Sequence, residues 1–121
     1  MKPRLLSFRH AFSGWWHVLR TQRNAWIHAV ISVSVMLAGW WLGLSRLEWA
    51  ILFLTLGLVW MAEFFNTALE AVVDLASPER HPLAKTAKDV AAAAVLLTAL
   101  AAVVIGLLVL GPPLWARLFD R

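Results

Sequence analysis

Apolar positions run almost unbroken through three stretches of the chain. These are "WIHAVISVSVMLAGWWLGL" from Trp26 to Leu44, "WAILFLTLGLVWMA" from Trp49, and "VAAAAVLLTALAAVVIGLLVL" from Val90 to Leu110. A helix rises about 1.5 Å per residue, so about 20 residues cross the hydrocarbon core of a bilayer. The pattern predicts an all-α membrane protein with transmembrane helices over 26–44, 48–74 and 86–110. The links are short: "SRLE" joins the first two spans and "LASPERHPLAKTAKD" the last two. Pro78 and Pro82 punctuate the second link, and Pro112-Pro113 are expected to stop the third span. No internal repeat divides the chain, so a single domain over 1–121 is expected.

The N-terminal stretch is patterned differently. In "RLLSFRHAFSGWWHVLR", Leu5, Phe8, Phe12, Trp15, Trp16 and Leu19 recur at helical spacing, with Arg4, Arg9, Ser13 and Arg20 mostly off that face. A basic amphipathic helix over about 5–22, lying in the membrane interface rather than crossing it, is the expectation.

Composition sharpens this picture. Of 121 residues, 61% are hydrophobic and 15% charged, too apolar for a soluble domain. The net charge of +4 raises nucleic acid as a partner. In so apolar a chain, an anionic membrane surface or a phosphorylated ligand is the expected partner instead. There is no cysteine, which excludes disulfides and thiolate metal sites. The four histidines, His10, His17, His28 and His81, lack metal-ligand spacing. Arg9, His10 and Arg20 break the first apolar-rich stretch, so no cleavable signal is expected. Lys2, Arg4, Arg9, Arg20 and Arg23 precede the first span, and Arg80, Lys85 and Lys88 fill the second link. The positive-inside rule then predicts a cytoplasmic N-terminus and 75–89 link, with the C-terminus external. Trp26 falls at the inner boundary and Trp40, Trp41, Trp49 and Trp115 at the outer one.

One segment defies the apolar rule. "EFFNTALEAVVD" places Glu63, Asn66, Glu70 and Asp74 inside the second span. An ionisable group at a helix centre in lipid costs roughly 2.5–3.5 kcal/mol on insertion scales. Spacings of 3, 7 and 11 bring all four within roughly 80° of the helix circumference, as a stripe roughly 16 Å long. The stripe must face protein or water. Two readings are open: an oligomer seam of hydrogen-bonded side chains, or a site for a cation with phosphates, since hard oxygen ligands suit Mg²⁺. The link carries the complement, with Arg80, His81, Lys85, Lys88 and Asp89 close to Asp74 in sequence. Acids for a metal beside cations for phosphates are what Mg-nucleotide binding needs, although "AKTAKD" also reads as an ordinary basic flank that sets topology. Neither GxxxxGK[ST] nor GxGxxG is present.

"EFFNTALEAVVD" followed by "AKTAKD" resembles the E-x-x-N-x-A-x-E-x-x-V-D and A-K-D signature of the small prokaryotic diacylglycerol kinase family. "SFRHAFSGWWHVLRTQRNAWIH" and "SRLEWAILF" are more similar to its undecaprenol kinase branch, and the resemblance extends over about residues 5–115. It implies an integral homotrimer of the bacterial inner membrane, with active sites between protomers, that moves the γ-phosphoryl of MgATP onto a lipid hydroxyl. By the same resemblance Glu63 is the general base, Glu70 a Mg²⁺ ligand, and Asn66 and Asp74 support the site. Glu79, Arg80 and His81 lie along the nucleotide, with Lys88 and Asp89 near its phosphates and ribose. Gln22 in "TQRN" departs from the pattern: it stands where the family has Glu, the partner of Glu70 on the metal. A neutral amide oxygen still coordinates Mg²⁺ but removes one negative charge. The expected activity is phosphorylation of undecaprenol, with diacylglycerol as the alternative acceptor. A non-catalytic membrane scaffold that uses the stripe for assembly is the rival from another class.

Overall fold

A computed structural model describes residues 2–120 and resolves them into four helices. These are α1 (Lys2–Thr21), α2 (Arg23–Leu42), α3 (Arg46–Ala76) and α4 (Pro82–Phe119). The last three are long and apolar enough to cross a membrane. α3 and α4 form the closest pair, α2 packs against both, and α1 lies against α2 and α3.

Local chemistry explains each boundary. A single extended residue, Gln22, separates α1 from α2, with φ −106° and ψ 114°. Gly43 ends α2 in the left-handed region at φ 71°, where a Cβ would be strained, and its N–H donates to the carbonyls of Gly39 and Trp40. Ser45 starts α3 through a reciprocal capping box: its N–H donates to Glu48 Oε2 at 2.7 Å and its Oγ accepts from the Glu48 N–H at 3.3 Å. A close approach fixes the α2–α3 corner, because a Cβ on Gly39 would come within 3.0 Å of both Leu44 Cδ1 and the Trp49 ring. At the other end His81 caps α4, its Nδ1 accepting from the Leu83 N–H at 3.1 Å, with Pro82 in the first turn, where a missing N–H costs nothing.

Two expectations about α4 need correction. Its helix begins at Pro82 rather than near 86, so the non-helical link between α3 and α4 shrinks to residues 77–81. The His81 cap and the Lys85–Asp89 ion pair, one turn apart, extend helix through a stretch whose polarity reads as loop. Nor do Pro112 and Pro113 stop the helix, which continues to Phe119. They remove two backbone donors, but their fixed φ is helical, and Gly111 has no Cβ to meet the Pro112 ring. The last turns are tied down by Arg117, whose Nη1 donates to the Trp41 carbonyl at 2.7 Å while its guanidinium sits 4.6 Å from the centre of the Trp41 ring. Trp40, Trp41, Trp49 and Trp115 thereby gather at one end of the bundle, opposite the 77–81 link.

Packing is inverted relative to a soluble domain. The buried apolar set is thin, namely Val18, Ala25, Leu52, Val59, Val95 and Val109, while large apolar side chains such as Leu54, Phe65, Leu97 and Leu107 are exposed on the spans. The largest fully buried side chain is an acid, Glu63, accompanied by buried Thr55, Asn66 and Thr67. Hydroxyls in the spans close on their own helix, as when Thr55 donates to the Ile51 carbonyl at 2.7 Å and Thr67 to that of Glu63 at 2.9 Å. Lipid solvates an apolar exterior, so helix contacts are spent on the polar groups that lipid cannot solvate.

Candidate active site

The polar stripe of α3 faces the bundle and is graded along its length. Glu63 is 1% exposed and Asn66 is 9% exposed, Glu70 is partly covered, and Asp74 is open at the loop end. Asn66 Nδ2 donates to Glu70 Oε1 at 3.3 Å, one turn on, which steadies that carboxylate. Asn66 Oδ1 and Glu63 Oε2 are buried and lack a hydrogen-bond partner among the described residues. Two unsatisfied oxygens on one buried face are costly unless a ligand or partner group meets them.

Around Glu63 the other helices build a wall. His28 of α2 points its Nε2 at Glu63 Oε2 across 3.6 Å. The indole of Trp60 stands edge-on to that imidazole, with centroids 6.2 Å apart, and its Nε1 donates to Ser32 Oγ at 3.1 Å. Trp15 of α1 closes the group, 5.9 Å from Trp60 and 5.6 Å from Phe64 between centroids. Sequence reading missed His28. The available signal was a titratable residue inside an apolar run, which by the same cost argument as Glu63 must face a polar partner.

At the loop end the stripe opens into a pocket of about 670 Å³ between the end of α3, the link and the first turns of α4. Asp74, Glu79, Arg80, His81, Lys85, Lys88 and Asp89 all line it, so one cavity unites every loop candidate. That volume falls in the ordinary range for small-molecule sites, about 300–1,000 Å³. Lys88 Nζ bonds Asp74 Oδ1 across the helix pair, and Lys85 bonds Asp89 along α4. Because His81 Nδ1 accepts the capping bond, Nε2 is the ring nitrogen left to donate.

Gln22 is not brought into this constellation. It forms the α1–α2 junction, and among the described residues its hydrogen bonds are those of its backbone, to Val18 and Ala25. No group of three or more His, Asp or Glu suited to a metal forms among the described residues. The donors on the stripe nevertheless suit a hard cation: Glu70 presents a carboxylate, and the unpartnered Asn66 Oδ1 is a buried amide oxygen.

The arrangement therefore joins a buried carboxylate to a basic pocket at a membrane-helix end. The sequence profile of the prokaryotic diacylglycerol kinases matches residues 9–110. The chain belongs to the prokaryotic diacylglycerol kinase family. It is similar to an undecaprenol kinase of Bacillus subtilis, 45% identical over 89% of this chain and 88% of that protein. It is also similar to a diacylglycerol kinase of Synechocystis, 50% identical over 91% of this chain but only 63% of that longer protein. With a diacylglycerol kinase of Escherichia coli it is 37% identical over 68% of this chain and 73% of that protein. This protein is accordingly a membrane lipid kinase, and ATP is its phosphoryl donor.

Proposed function

We propose that this kinase phosphorylates undecaprenol, with Glu63 as general base and the loop pocket as the MgATP site, the whole chain acting as one catalytic unit. The observation that carries the reading is Glu63 itself, a fully buried carboxylate at the head of a stripe that descends into a pocket lined by Arg80, Lys85 and Lys88. Phosphoryl transfer needs positioning, charge neutralisation and a base near the nucleophile; the α3 stripe supplies the carboxylates, and the link and α4 supply the cations. The lipid hydroxyl loses its proton to Glu63 as its oxygen bonds the γ-phosphorus and the bond to the ADP oxygen breaks. Lys88 and Arg80 offset phosphate charge, and His81 Nε2–H donates toward the nucleotide. Glu79 and Asp89 border the nucleotide, with Asp89 on the ribose. Glu70 would hold Mg²⁺, supported by Asn66 and Asp74, while Gln22 stands apart at the α1–α2 junction. A cation bound there would supply positive charge against the phosphates.

Undecaprenol is favoured over diacylglycerol by the near full-length match to the Bacillus subtilis relative. The test is transfer of labelled γ-phosphate in detergent micelles with each lipid. We expect undecaprenol to give the higher kcat/KM by about tenfold or more, the discrimination open to an apolar site. The reverse order reassigns the substrate to diacylglycerol, and no transfer to either lipid returns the stripe to an assembly role.

Assembly and topology complete the proposal. Three spans do not enclose both a lipid and ATP, and the exposed apolar faces of α2, α3 and α4 suit both lipid and neighbouring protomers. A homotrimer with shared sites accommodates this. α1 then lies at the interface as a basic amphipathic helix, with Leu5, Phe8 and Phe12 toward lipid. In the bacterial inner membrane the Lys and Arg bias puts the N-terminus and the link inside and the C-terminus outside. Single cysteines introduced at Glu79 and Asp120 should label from the cytoplasmic and the external face, respectively. Labelling of the Glu79 position from outside overturns the orientation.

A further inference from the structure

The imidazole of His28 is 12% exposed and the Glu63 carboxylate 1%, and their facing atoms, Nε2 and Oε2, have no hydrogen-bond partner among the described residues. A buried polar atom without a partner is uncommon. Here two such atoms belong to a donor and an acceptor, on different helices, aimed at each other. Their 3.6 Å separation is longer than a hydrogen bond. Catalytic contacts are commonly long before substrate binds and tighten in the reacting complex.

The surroundings leave the imidazole little choice. Trp60 stands edge-on against it and is itself pinned to Ser32 and backed by Trp15 and Phe64. The other ionisable groups nearby are committed or directed elsewhere. Glu70 is held by Asn66, Lys88 by Asp74, and His17 and Arg20 of α1 line a separate hollow with Trp16. His28 is thus the group available to orient Glu63.

We infer that His28 is a positioning residue for the base. Its Nε2–H holds Glu63 Oε2 and leaves Oε1 to take the lipid hydroxyl proton. This rests on Glu63 being the base. Fixing one carboxylate oxygen selects a single rotamer, and the alignment of the other matters because small misplacements of a reacting group are costly in rate. The aromatic wall makes the arrangement rigid, as a positioning contact requires.

The test compares His28→Leu with His28→Gln in the intact protein. Leu fills the space without a donor, whereas Gln retains an N–H. For His28→Leu we expect kcat to fall roughly 10- to 100-fold, the scale of losing a group that orients a catalytic ligand or base. KM for MgATP should stay within about twofold, since α2 contributes no residue to the lining of the nucleotide pocket. His28→Gln should recover kcat to within several-fold of the parent. A packing role predicts the opposite order, with the apolar Leu tolerated and the buried amide harmful, and that order overturns the inference, as does a His28→Leu variant with the parent kcat. If His28→Leu does not fold, His28→Gln still decides: a kcat reduced as far as in a folded His28→Ala variant counts against the donor role. Glu63→Gln measured alongside separates the two readings. Its retention of activity removes the base itself, whereas an inactive Glu63→Gln with fully active His28 variants removes only the positioning role.

Discussion

Replacing Glu63 with Gln should stop turnover while leaving the protein folded and able to bind MgATP. Gln matches Glu in size and fills the same 1%-exposed site, so the helix packing has no cavity to absorb. The amide still offers an oxygen and gains an N–H, but it does not accept the lipid hydroxyl proton. Loss of a general base is worth roughly 10²- to 10⁴-fold in rate. Stability should hold or rise, because removing an ionisable group from a buried membrane site removes its desolvation cost. Nucleotide affinity should hold because the pocket begins near Val73, well along α3 from Glu63. Labelled phosphate transfer, nucleotide titration and thermal unfolding of the same detergent preparation read the three expectations. Transfer at the parent rate would show that Glu63 is not the base.

Glu70→Gln should lower activity roughly 10²- to 10³-fold at limiting Mg²⁺, the scale of losing one electrostatic contact to a phosphoryl transition state. Part of the loss should return at high Mg²⁺, because the defect is in holding the cation. The substituted amide also disturbs the bond that Asn66 Nδ2 makes to Glu70 Oε1, so the donor set loosens as well as losing charge. The complementary change is Gln22→Glu, which adds a carboxylate at the half-buried α1–α2 junction beside the exposed Arg23. If position 22 shares the cation with Glu70, Gln22→Glu lowers the Mg²⁺ needed for half-maximal activity and raises the rate at limiting Mg²⁺. An unchanged Mg²⁺ dependence in Gln22→Glu removes position 22 from the metal site. A Glu70→Gln variant with the parent Mg²⁺ dependence removes Glu70.

Much of the architecture was legible in the sequence because lipid imposes a simple rule. A segment that must satisfy its backbone internally and its side chains in hydrocarbon is long, apolar and helical, so the three runs announced three spans. The stripe was legible for the converse reason, since costly groups at helical spacing must share a protected face, and burial of Glu63 and Asn66 on that face follows. Boundaries were less legible. Polarity marked residues 82–85 as loop, yet a side-chain cap from His81 and an ion pair between Lys85 and Asp89 make them helix. Pro112 and Pro113 are strong stop signals in water, where an interrupted helix can hand its free carbonyls to solvent. With Gly111 ahead of them and Arg117 anchored on Trp41, continuing the helix was the better solution.

The sequence by itself determined the helical membrane class and the polar face of α3, because each follows from local periodicity or from the cost of charge in lipid. Only the tertiary structure decided which groups meet: that Asp74 is held by Lys88, that the loop residues line one pocket, and that Glu63 faces His28. Periodicity tells a helix which side to turn inward but not which neighbour it will find there. The α2–α3 corner at Gly39, Gly43 and Ser45 folds α2 back along α3, and the tilted contact between the indoles of Trp15 on α1 and Trp60 on α3 fixes the rotation between helices. Contacts between residues so far apart in the chain depend on those angles, which no single helix encodes.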